Sequence, residues 1–168
     1  MPTREGLLTA HKTLILAVAT LALAACNPFH RSPSVEVSDE DENRYTRWHG
    51  TFTSPASLAG VVQMTGSATM TPGSDARSTM VMVELSNATP GGEHPWALHR
   101  GHCDSAEQLL GQPSDYEPIK VDNDGRATAS ANVDMHTPTS GSYSVRVTAS
   151  PSNTRMVLAC ANLAPPSM

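Results

Sequence analysis

From Val61 onward, apolar and polar residues trade places at every second position. Val62, Met64, Gly66, Ala68 and Met70 alternate with Gln63, Thr65, Ser67 and Thr69. Successive side chains of a strand point to opposite faces, so this stretch predicts a half-buried strand. Met80–Leu85 predicts a second, with Val81, Val83 and Leu85 inward. Ala127, Ala129, Ala131 and Val133 predict a third, and Tyr143, Val145, Val147 and Ala149 a fourth. Met156–Asn162 predicts the last and carries Cys160. Turn chemistry separates these runs at Pro72–Asp75, Thr89–Gly92 and Pro138–Gly141, and Val121–Gly125 carries a hairpin signal in Asp124-Gly125. Asp104 and Glu107 have capping-box spacing, and Gly111 suits a helix end, so one or two helical turns are expected there. Short strands at this spacing, without a long helical period, indicate an all-β antiparallel sandwich or barrel.

The first half differs. Arg4 and Lys12 precede an apolar run, Thr13–Ala25, that is too short to span a bilayer. It ends in Leu23-Ala24-Ala25-Cys26, which looks like a bacterial lipobox. Residues 1–25 are therefore read as a lipoprotein signal peptide and Cys26 as the lipidation site. Asn27 follows the cysteine, which favours an outer-membrane lipoprotein in the cell envelope, facing the periplasm or the cell surface. Residues 26–50 are read as an acidic spacer, since Ser38-Asp-Glu-Asp-Glu-Asn43 combines low hydrophobicity with like charge. Tyr45–Phe52 fits either the end of the spacer or the start of the domain, and the domain is assigned to residues 51–168.

Formal charge is −5 at pH 7, and no basic patch with interleaved aromatics occurs, so nucleic acid is not an expected partner. The expected partner surface is the membrane, through the lipid; a protein partner is left unassigned. Aromatics make up 4% of the chain, so the core must be built from Val, Ala, Leu and Met and would gain from a covalent brace. With Cys26 acylated, Cys103 and Cys160 form an even pair in an oxidising compartment, and a disulfide is expected.

Chemistry concentrates in Gly91–Cys103, where His94, His99 and His102 precede the cysteine. Imidazoles at this density beside a cysteine suit a metal site, a remnant of one, or a polar network under a loop. On an extended Ala97–His99, positions 97 and 99 share a face opposite Leu98, while His94 and His99 point to opposite faces unless Pro95 interrupts the strand. Two uses of the histidines follow. His94, His99 and His102 converge, with His49 or His136, on a copper or zinc ion. Alternatively, His94 and His99 hydrogen-bond loop backbone and hold the end of the barrel shut, with His102 exposed.

His94-Pro-Trp-Ala-Leu-His99 resembles the copper/zinc superoxide dismutase motif His-Gly-Phe-His-Val-His. Val121-Asp-Asn-Asp-Gly-Arg126 is similar to a downstream Asp-Gly hairpin of that family, and Val157-Leu-Ala-Cys160 to its C-terminal Arg-Leu-Ala-Cys. Together these matches cover roughly Leu58–Leu163. The resemblance implies a Greek-key β-barrel, a Cys103–Cys160 disulfide and a metal site outside the barrel. It also implies what is missing. Ala97 stands at one copper histidine, Thr148 near another, and no histidine lies between Cys103 and Ile119, where the zinc loop belongs. Val157 replaces the substrate-guiding arginine, and Arg155 lies two positions earlier. The expected function is thus an envelope-anchored, dismutase-like lipoprotein without dismutase activity, without a resident cofactor, in a binding or structural role. The alternative is a copper- or zinc-binding enzyme of the family with a rebuilt site at His94, His99 and His102.

Overall fold

A computed structural model of the chain describes residues 46–166, apart from 62, 76, 106 and 107. The signal peptide assigned to residues 1–25, the lipidated Cys26 and the spacer up to residue 45 lie outside the described residues. So do Val62, expected to face inward, and Glu107, the expected capping partner of Asp104.

The described strands, in chain order, are β1 (Trp48–Phe52), β2 (Thr65–Pro72), β3 (Ser78–Ser86), β4 (Glu93–His94), β5 (Trp96–Arg100), β6 (Gln108–Leu109), β7 (Ile119–Lys120), β8 (Ala127–Asp134), β9 (Tyr143–Ser150) and β10 (Asn153–Leu163). One antiparallel sheet runs β1-β2-β3-β8 and a second runs β10-β9-β5-β6, while β4 pairs with β7. The all-β antiparallel architecture expected from the alternation is therefore present. Two bridges join the large sheets between β1 and β10, at His49–Ala164 and Thr53–Cys160. No closed barrel forms among the described residues, because β7 pairs with β4 and does not carry the ladder on to β8.

Alternation places the core where the pattern put it. Val81, Val83 and Leu85 of β3, Val133 of β8, and Val145 and Val147 of β9 are buried between the sheets. Trp48 and Phe52 of β1 join them, so the first strand straddles the boundary drawn at residue 51. Trp48 is fully buried, meets Tyr143 edge-on at 5.2 Å, and donates its indole N–H to the Pro138 carbonyl at 2.8 Å. That bond satisfies the one polar atom such a ring brings inside. Thr79, also fully buried, donates to the Met135 carbonyl at 2.8 Å. Gly66 sits in the inward row but is only half-buried, with φ of 143°, and a Cβ there would run into the Glu84 carbonyl. It is a place of close strand approach and contributes no side chain to the core.

Two local expectations are corrected. No helix forms over Asp104–Gly111 among the described residues; Cys103–Ser105 is a turn, and Gln108–Leu109 pairs with β5 instead. With Leu109 opposite His99 and Leu110 bonded to the Leu98 carbonyl at 3.0 Å, pairing along β5 wins over a helix too short to stabilise itself. At Val121–Gly125 the expected turn forms, drawn together by the Asp122 carboxylate, which accepts from the amides of Asp124 (2.9 Å) and Arg126 (2.8 Å). It does not join a hairpin, since Val121 exchanges bonds with Gly91 and Gly92 and so prolongs the β4–β7 pair.

Cys103 and Cys160 are disulfide-bonded, with Cα atoms 5.9 Å apart, across a sequence separation of 57. A loop of that length confers about 4 kcal/mol in the chain-entropy picture. Cys103→Ser is expected to lower unfolding free energy by about 2–5 kcal/mol. Denaturant melts of wild type and variant without reductant check this; coincident curves would contradict it.

Candidate functional site

β5 alternates as a half-buried strand should. Trp96 and Leu98 are buried, whereas Ala97 and His99 face outward together. The face they share opens on a cavity of about 520 Å³. Across the sheet, Ala97 is registered opposite Arg146 of β9, and the Thr148 amide and hydroxyl both donate to the Pro95 carbonyl, at 2.8 and 3.1 Å. Arg146, Thr148, Tyr116 and Arg155 line the same cavity as Ala97 and His99. β10 contributes Arg155 at its irregular end, where its register against β9 shifts between Asn153 and Val157.

His99 is half-buried and makes no side-chain hydrogen bond among the described residues. Burial, and after it the positive charge of Arg146, hold its imidazole below the usual 6.5. It is therefore neutral at pH 7. Arg146 donates from Nη2 to the Cys103 carbonyl at 2.6 Å, and its Nε is buried without a partner. The Tyr116 hydroxyl donates to the Leu110 carbonyl at 2.6 Å, and burial pushes it up to about 12, so it stays protonated.

The other two histidines go elsewhere. Pro95 separates β4 from β5, and His94, on β4, is buried with Nδ1 2.9 Å from the Ala149 carbonyl. A carbonyl can only accept, so Nδ1 carries the proton. His94 Nε2 is buried without a partner and sits so close to Gly92 that a Cβ there would meet it at 2.6 Å. His94 thus bonds a strand carbonyl of β9, not loop backbone as expected. His102 is exposed, as are His49 and His136. Among the described residues, no three His, Cys, Asp or Glu side chains are grouped to hold a metal ion. The cavity does not fit copper either. It offers one imidazole and two guanidiniums, whereas such an ion needs several neutral nitrogen or anionic donors, and fixed positive charge repels it.

Sequence reasoning singled out His99, Ala97 and Thr148 but missed Arg146 and Tyr116. Arg146 lies in the polar row Ser144, Arg146, Thr148, which reads as a solvated face until the register with Ala97 is known. Tyr116 follows a single 3-10 turn, Pro113–Asp115, in a stretch with no periodicity to read.

No protein-family model matches the chain, and no curated protein matches it.

The charge on Arg146 gives His99 a testable signature. A lowered folded value means the imidazole favours its neutral form, so His99 contributes stability above about 6.5 that is lost as pH falls below the unfolded value towards the folded one. A proton NMR titration is expected to place His99 below 6.5 and to find it raised in Arg146→Gln, though still depressed by burial. An unchanged midpoint in the variant would contradict the assigned cause.

Proposed function

We propose that the chain is a superoxide dismutase-like Greek-key domain that performs no dismutation and is displayed as a binding module on the bacterial cell envelope, anchored through lipid on Cys26 in the outer membrane. Support for the fold comes from the crossovers that set β8 beside β3 and β9 beside β5, and from the disulfide between the end of the histidine run and the last strand. Support for loss of activity rests on one observation. Ala97, His99 and Thr148 line a single cavity, and two arginines share it. Where the family resemblance puts a cluster of copper-binding imidazoles, this chain has one imidazole with two cations.

Cycling a copper ion needs several fixed nitrogen ligands, and His99 alone cannot retain it. With two guanidiniums and no carboxylate among the described lining residues, the cavity favours anions over cations. Export with a lipid anchor follows from the Leu23-Ala24-Ala25-Cys26 run, and the acidic spacer would hold the domain away from the bilayer.

The full chain, purified from its own envelope, is expected to contain no stoichiometric copper or zinc. After loading with copper it should not accelerate superoxide decay beyond the free ion. A rate near that of a true dismutase, lost in His99→Ala, would overturn the proposal in favour of a rebuilt metal enzyme.

A further inference from the structure

The cavity beside Ala97 joins a cationic half to an apolar one. Arg146 and Arg155 provide the charge, and Thr148 and Thr154 add hydroxyls. Trp96, Leu109 and Val157 supply apolar wall, and Tyr116, which also lines the cavity, meets Trp96 edge-on at 5.1 Å. Among the described residues no carboxylate lines it. Asp115 is next in sequence to Tyr116, but its carboxylate accepts from the Gln112 amide at 2.7 Å.

The guanidiniums are under-used. Of the five N–H donors an arginine carries, Arg146 commits one nitrogen to the Cys103 carbonyl and leaves Nε buried and unpartnered. Nε is enclosed by protein and stays out of reach, but Nη1 is neither enclosed nor hydrogen-bonded among the described residues, so it is the donor Arg146 can offer to an acceptor in the cavity. Arg155 is exposed and has no ion-pair partner among the described residues. Charge-assisted bonds to a carboxylate would engage the open Nη1 of Arg146 and the guanidinium of Arg155 together. About 520 Å³ falls in the range of small-molecule sites, roughly 300–1,000 Å³, and is far larger than an inorganic anion needs. The apolar wall accounts for the remaining volume.

We infer that this cavity binds a small organic monocarboxylate, its carboxylate between Arg146 and Arg155 and its apolar body against Trp96, Leu109 and Val157. The inference rests on the non-catalytic, binding reading of the same cavity. Arg146 is the half-buried anchor, and Arg155 the exposed partner that closes over the bound acid. His99, neutral beside them, adds no charge of its own, and no carboxylate among the described lining residues competes for the guanidiniums.

Benzoate is the probe, with benzamide as its neutral counterpart and inorganic phosphate as the bare anion. Calorimetric titration of the full chain is expected to give saturable benzoate binding by about 10 mM, with benzamide and phosphate much weaker. Arg146→Gln and Arg155→Gln should each weaken benzoate about tenfold or more, the loss of a hydrogen bond to a charged group. If Arg146→Gln melts early, Arg155→Gln, on an exposed side chain, carries the test. Absence of saturable benzoate binding, equal binding of benzamide or phosphate, or unchanged affinity in Arg155→Gln would overturn the inference. Each would do so whatever the copper assay gives, since that assay reports only on dismutation.

Discussion

Cys103 is fastened on three sides. Its sulfur is bonded to Cys160 of β10, its amide donates to the Asn162 side chain at 2.7 Å, and its carbonyl accepts from Arg146 of β9 at 2.6 Å. β9, which pairs with β5, and β10 beyond it thereby grip one residue in the turn that follows β5. The chain that leaves this point must return along β5 as β6 and then cross to β7, and in doing so it lays Tyr116 over the edge of Trp96. Wall and floor of the cavity are consequences of that grip. A domain with few aromatics gains rigidity there that its modest core does not supply.

The same grip orders the electrostatics. Arg146 is pinned by the carbonyl of Cys103, and from β9 its charge adds to burial in holding the His99 imidazole below its usual value. An ion of positive charge meets two guanidiniums and a single neutral nitrogen; an ion of negative charge meets the same guanidiniums as donors. Ala97 and Thr148, which line the cavity with His99, bring no side-chain nitrogen to it, and the charge there comes from the two arginines.

The strands were legible because each has one dry face, and alternation records that directly. Val81, Val83, Leu85, Val145 and Val147 are all buried where the period predicted. β1 was harder to place, since only Trp48, Gly50 and Phe52 mark its inward row and an acidic run precedes it. The choice between sandwich and barrel was left open, and the helical turns after Cys103 were misjudged, for one reason. Both depend on which distant strand a short segment pairs with, and β6 and β7 are only two residues long. For the site, the shared face of Ala97 and His99 followed from the period alone. Arg146 did not, because its partner lies 49 residues earlier and only the register Ala97–Arg146 brings them together.

What distinguishes a preserved frame with missing donors from a frame that never suited a metal is restoration of the nitrogens. In an Ala97→His, Thr148→His double variant, three imidazoles would face the cavity that now holds one. Electron paramagnetic resonance of Cu(II)-titrated protein should then show a stoichiometric copper signal with nitrogen hyperfine structure, absent from the wild type and abolished by adding His99→Ala. An equally tight, equally structured signal from the wild type, or none from the folded double variant, would contradict the account.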